Sequence, residues 1–230
     1  MRKTTSLFLL TILCIGGSFF CQCLTPPPVP PACTGTESLL TDNETVNKGT
    51  SKWFYGAPKV MNSLAMNGGI LTVCNDLTID KFYMDSGTIY IRPGVKFIIG
   101  AGIGAGLIFD GNCAIYNYGY CEIQRNLSFS STNVSAAKPN IVINALLTSV
   151  FKTANQYFVI NSPHSYFVNN GTSEFWGIIT DALASPGSIC LGESSTTRMA
   201  VLINKIAYSY VVPHGNACVN VYQFSQFNNR

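Results

Sequence analysis

"VKFIIGAGIGAGLIFDGN" (residues 95–112) decides how the rest of this 230-residue chain is read. An apolar run, Val95 to Ile99, leads into Gly100-Ala101-Gly102-Ile103-Gly104-Ala105. That spacing fits the G-x-G-x-x-G/A fingerprint of a dinucleotide site, and Glu122 stands about where a ribose-binding acid would. Such a site needs a helix of several turns after the glycines, with its N-terminus on the pyrophosphate. Here Leu107-Ile108-Phe109 is followed at once by Asp110-Gly111-Asn112, which breaks a helix, and Gly104 and Gly106 disfavour one. The stretch predicts strand, irregular glycine turn, strand, and no nucleotide cofactor.

Outward from it the same texture continues. Short apolar or β-branched runs (Leu71–Val73, Leu77–Ile79, Ile89–Ile91, Phe97–Ile99, Ile123 to Phe129) alternate with turn formers such as Asn75-Asp76, Asp85-Ser86-Gly87 and Arg92-Pro93-Gly94. Strand starts lie closer together than the hairpins of a sandwich usually allow. The fold class expected is mainly β: a short parallel β-solenoid (β-helix), with a β-sandwich as the alternative. No exact repeat period is visible. Weak echoes, "YFVIN" (157–161), "YFVNN" (166–170) and "VIN" (142–144), fit stacked asparagine turns.

The C-terminal part differs. Met199, Leu202, Ile203, Ile206 and Tyr210 fall at helical spacing, with Ser195 or Thr196 available as N-cap, which predicts one amphipathic helix near 195–210. A final strand is expected over 217–224. Cys190 and Cys218 bracket that helix, so a bridge between them would pin it to the sheet. If Asn117-Tyr118-Gly119 is a hairpin turn, Cys113 and Cys121 face each other and form a second candidate bridge.

At the other end, Arg2 and Lys3 precede the apolar "SLFLLTILCIGG" (6–17), the pattern of a signal peptide. The expected division is signal peptide 1–23, a Pro-rich linker and leading segment 24–60, and one mostly β domain 61–230. Lipidation before Cys14, Cys21 or Cys23 is disfavoured by the preceding Leu13, Phe20 and Gln22. Any membrane association is therefore expected only through export or such a lipid. Removing the leader leaves 12 basic and 11 acidic residues and no basic stripe, so no nucleic-acid partner is expected. Six cysteines remain, an even number suited to disulfides in an exported chain, and no C-x-x-C suggests zinc. The expected location is periplasmic, cell-surface or extracellular.

Catalytic signals are sparse. Asp76, Asp80, Asp85 and Asp110 are dispersed and each sits beside turn residues, where capping is the ordinary role. Coiling that brought two or three of them together with Arg92 or Lys96 would favour a carbohydrate-active enzyme. There is no G-x-S-x-G, His164 and His214 each follow a proline, and neither a metal site nor a cofactor is expected. Trp53 and Trp176 read as core or cap residues. In "IYNYGYCEI" (115–123), Tyr116, Tyr118 and Tyr120 alternate. On a single strand they would share one face and offer a ring platform for sugar or protein.

With its leader and proline tether, "LTVCNDLTIDKFYMDSGTIYIRPGVKFIIG" (71–100) resembles exported β-helix-type surface proteins of Bacteroidota, and 190–224 has the look of their modules. The resemblance implies a cell-surface role and brings no catalytic residues. The expected function is a structural or adhesive module binding glycan or protein, with a carbohydrate-active β-helix enzyme as the alternative.

Overall fold

The computed structural model describes residues 27–229, except 101, 103, 105, 131–132, 155, 181–188, 193, 205–210, 214–217 and 222–226; from residue 200 onward it describes backbone only. The expected signal peptide therefore lies outside the described residues.

The chain coils into a three-sided parallel β-solenoid. Face C opens it with β1 (Glu44–Asn47), face A continues with β2 (Ser51–Phe54), and β3 (Lys59–Val73) then runs through faces B, C and A without leaving strand geometry. β4 (Leu77–Ile91) repeats that path directly above it, Leu71 on Ile89 and Val73 on Ile91. Later turns break at the corners into β5 (Lys96–Ile99), β6 (Leu107–Phe109), β7 (Cys113–Asn117), β8 (Tyr120–Ile123) and β9 (Leu127–Phe129). The next turn is β10 (Asn140–Asn144), β11 (Val150–Thr153) and β12 (Tyr157–Ile160), followed by β13 (Ser165–Asn169) and β14 (Thr172–Thr180). β15 (Ile189–Leu191), β16 (Thr196–Asn204), β17 (Val211–Pro213), β18 (Cys218–Val221) and β19 (Phe227–Asn229) complete the stack.

Every ladder between these strands is parallel, so the sandwich alternative is excluded. Alternate residues point inward. Ile89, Ile115, Val142, Phe167 and Ile189 stack in register on face A, and Phe109, Phe129 and Phe158 stack on face C with ring centroids 5.0–5.1 Å apart. Burying each ring contributes roughly 1.5–3 kcal/mol, and the offset and edge-on contacts add to it. The step between stacked residues ranges from 18 positions (Leu71 to Ile89) to 31 (Leu127 to Phe158). The core is regular while the corner loops are not, which is why no period shows in the sequence.

The opening stretch folds as expected. β5 ends at Ile99, β6 starts at Leu107, and Gly104 and Gly106 between them have φ of 62° and 138°. A Cβ on Gly106 would lie 2.6 Å from the Asn126 carbonyl oxygen of the next turn, so the glycine permits a close approach of backbones.

The C-terminal helix is corrected. Thr196–Asn204 is strand, paired with β14 along its length, while 205–210 lie outside the described residues. The helical spacing has a physical source, visible in β14. Its inward residues are Ser173, Phe175, Ile178 and Thr180, because the strand crosses a corner and the alternation slips by one. Steps of two, three and two imitate an amphipathic helix.

The disulfide expectations divide. Cys33 bridges Cys74, with their Cα atoms 6.1 Å apart. Cys113 and Cys121 are free, not bridged: Asn117-Tyr118-Gly119 is a solenoid corner rather than a hairpin, and the two thiols face the core from different sides of one turn. Burial pushes the Cys113 thiol up to about 11, and pushes Cys121 up as well. Cys190 is disulfide-bonded, and the Cys218 side chain lies outside the described residues.

Candidate functional site

The three tyrosines do not share a face, because the corner at 117–119 separates them. Tyr116 points outward from face A, half-buried and stacked on Tyr90 at 5.2 Å. Tyr118 is buried at the A–B corner against Ile143, Ala145 and Val168, and its hydroxyl donates to the Pro28 carbonyl. Burial pushes its hydroxyl up to about 12. Tyr120 points outward from face B and donates to Glu122 Oε2 at 2.5 Å. The ammonium groups of Lys96 and Lys152 sit 5.2 and 5.3 Å from its ring centroid. Burial works against the Glu122 carboxylate, but the Tyr120 hydroxyl and Lys152 outweigh it and hold the group below the usual range. A ring occupied by two cations, within an ion pair of 3.3 Å between Lys152 and Glu122, offers no free platform for stacking. Trp176, expected in the core or a cap, is 45% exposed and donates from Nε1 to the Tyr157 hydroxyl.

The aspartates fare differently. Asp85 and Asp110, from successive turns, border one groove of about 440 Å³ at the C–A corner, together with Lys48, Asn67, Asn133 and Lys138. Asp76 and Asp80 lie elsewhere. Asp76 Oδ1 accepts the Lys96 backbone N–H at 2.8 Å, and Asp80 lies against the glycine turn, where a Cβ on Gly102 would lie 2.5 Å from its Oδ2. Arg92 is engaged by the proline segment through the Pro31 carbonyl at 2.8 Å. The groove thus holds two carboxylates with Lys48 and Lys138, not with Arg92 or Lys96.

No family model, curated protein or solved structure matches this chain.

The groove is built by the turn chemistry of one corner. Asn47-Lys48-Gly49, Asn67-Gly68-Gly69, Asp85-Ser86-Gly87 and Asp110-Gly111-Asn112 recur once per turn. Glycine, and Asn112 with φ 58°, supply the left-handed backbone that lets the chain leave face C and enter face A. The first residue of each motif stays at the rim: Asn67 Nδ2 donates to Asn47 Oδ1 at 3.4 Å, and Asn133 Nδ2 donates to Asp110 Oδ2 at 3.1 Å. The result is an open line of amides, carboxylates and ammonium groups along the solenoid axis. It can donate and accept hydrogen bonds at each turn. Lys48, Asn67, Asn133 and Lys138 were not expected from sequence. The recurring Asn/Asp-x-Gly turn was the available signal, hidden by unequal loop lengths.

The A–B corner has the same residue types turned inward. Asn117 Nδ2 donates to Asn144 Oδ1 and Asn144 Nδ2 to Asn169 Oδ1, each at 2.8 Å, and all three are fully buried. Their amides also bond the carbonyls of Val150, Thr172 and Thr196 at the start of face B. Of the sequence echoes, Asn144 and Asn169 do stack, whereas "YFVIN" (157–161) belongs to face C.

Proposed function

We propose that the chain is an exported, non-catalytic β-solenoid that binds glycan through the C–A corner groove. The observation that carries this reading is the outward line of Asn67, Asp85 and Asp110 flanked by Lys48 and Lys138. Successive turns are about 4.8 Å apart, so hydrogen-bonding groups repeat at roughly the length of one sugar ring. A chain of hydroxyl-rich units laid along the axis meets donors and acceptors at every step. The Cys33–Cys74 bridge fits an oxidising compartment, as does the basic-then-apolar leader. The resemblance of 71–100 to Bacteroidota surface proteins points the same way.

A glycan array probed with residues 24–230 tests it. Binding is expected, with loss in the Asp85→Ala/Asp110→Ala double variant and retention in Tyr116→Ala. A chain that captures no glycan sinks the reading and leaves protein as the ligand. The meeting of two carboxylates in one groove favours a second reading, a carbohydrate-active enzyme with Asp85 and Asp110 as acid and base. Release of reducing ends or unsaturated products from an array-positive polysaccharide, abolished by Asp85→Asn or Asp110→Asn, would establish it.

A further inference from the structure

The proline-rich segment is not a free tether. It crosses the outside of the A–B corner along the solenoid axis, meeting one turn after another. Pro28 accepts from the Tyr118 hydroxyl, Pro30 and Pro31 from Arg92 Nη1 at 3.4 and 2.8 Å, and Ala32 from Trp53 Nε1 at 3.2 Å. Cys33 then bonds to Cys74, and Gly35 and Glu37 accept from the Tyr55 hydroxyl at 2.9 and 3.1 Å.

The polarity of these contacts is uniform: solenoid side chains donate and strap carbonyls accept. Prolines lack the N–H that strand pairing needs, and they hold an extended chain whose carbonyls face outward. Aromatic and arginine donors reading such carbonyls are the means by which grooves recognise polyproline ligands. Simple sheet extension does not describe this contact, since the segment runs across the strands rather than along them.

We propose that the outer A–B corner, formed by Trp53, Tyr55, Arg92 and Tyr118, is a recognition groove for a proline-rich chain, and that residues 24–35 of a second copy can occupy it. The strap seated in cis shows the ligand chemistry that fits. The Cys33–Cys74 bond holds the cis strap at high effective concentration, so exchange between copies requires that bond to open. It opens by thiol–disulfide exchange with a second copy whose own Cys33–Cys74 bridge has not yet formed, so there is no net oxidation or reduction. An incoming Cys33 thiolate attacks the Cys74 sulfur, a new S–S bond forms, and the original Cys33 leaves as thiolate.

The test challenges the oxidised wild-type chain with a reduced synthetic peptide of residues 24–35, or with the same peptide carrying glycine at positions 26, 27, 28, 30 and 31. Mass spectrometry then quantifies the peptide–Cys74 adduct. The proline peptide is expected to form at least about ten times more adduct than the glycine peptide. In the Arg92→Leu/Tyr118→Phe variant, checked for folding by circular dichroism, that ratio falls toward one. Should wild-type exchange prove too slow, the Cys33→Ser chain is challenged with the disulfide dimer of each peptide, where the Cys74 thiolate displaces one peptide thiol. Equal capture of both peptides overturns the groove. For the second copy, Cys33→Ser and Cys74→Ser chains are mixed with glutathione disulfide, which takes up the two electrons. A heterodimer linked through Cys33 and Cys74 is expected, and its absence overturns exchange between copies.

Discussion

Two corners of the solenoid use the same amino acids to opposite ends. At the A–B corner Asn117, Asn144 and Asn169 turn inward and form a buried amide ladder that satisfies the backbone of each bend. At the C–A corner Asn67, Asp85 and Asp110 stay at the rim of an open groove. The difference follows from where the unpaired carbonyls lie. After Asn117 and Asn169 the chain turns within two residues, through Gly119 and Gly171, and leaves carbonyls inside that only a buried donor can reach. At the C–A corner the glycines take up the turn, and the polar side chains are left to solvent.

The largest expected effect lies at the inner corner. A Cβ on Gly171 would sit 2.3 Å from the Ser149 carbonyl oxygen and 2.4 Å from that of Leu146. Gly171→Ala is expected to destabilise by about 4 kcal/mol in urea denaturation, since backbone must move. Asn144→Ala comes next, at about 3 kcal/mol, because it breaks the buried amide ladder: Asn117 Nδ2 and Asn169 Oδ1 each lose a partner, and the Ser149 and Thr172 carbonyls lose their side-chain donor. The outer corner supplies the contrast: Asp110→Asn is expected to shift stability by no more than about 0.5 kcal/mol while changing ligand binding. If it costs as much as Asn144→Ala, the two corners do not differ in kind.

Chemical labelling sharpens the same inside-outside division. With its thiol at about 11, Cys113 carries roughly a thousandth of its population as thiolate at pH 8. Iodoacetamide should leave Cys113 and Cys121 unmodified in the native chain and label both in urea. The smallest effect concerns Glu37, below the strap. Its carboxylate accepts the Thr34 backbone N–H at 2.6 Å and the Gly35 N–H at 2.8 Å, and the Thr34 bond first holds it down at about 2. A depressed folded-state value means that its contribution is fully present above the unfolded value near 4.5 and is lost as pH falls through about 2. Amide exchange at Gly35 should therefore be unaffected by protonation of Glu37 from pH 7 to 5 and lose protection below that, with Glu37→Gln removing the dependence.

Much of the fold was legible locally. Short β-branched runs, turn residues between them and the break at Asp110-Gly111-Asn112 led to a parallel solenoid and to strand, glycine turn, strand across 95–109. The misreadings share one cause. Corners shift the in-out alternation, so Thr196–Asn204 looked helical and the tyrosines at 116, 118 and 120 looked coplanar. Of the candidate groove, Asp85 and Asp110 were named, but their meeting was not legible, because it depends on the length of each turn.

The sequence by itself determined the alternation of apolar runs and turn formers, and hence a chain that coils. Side-chain period and backbone preference are local properties. Which asparagines plug the interior, which aspartates meet and where the prolines lie were decided only by tertiary structure. Each depends on the register between turns 18 to 31 residues apart, and that register is set by core stacking.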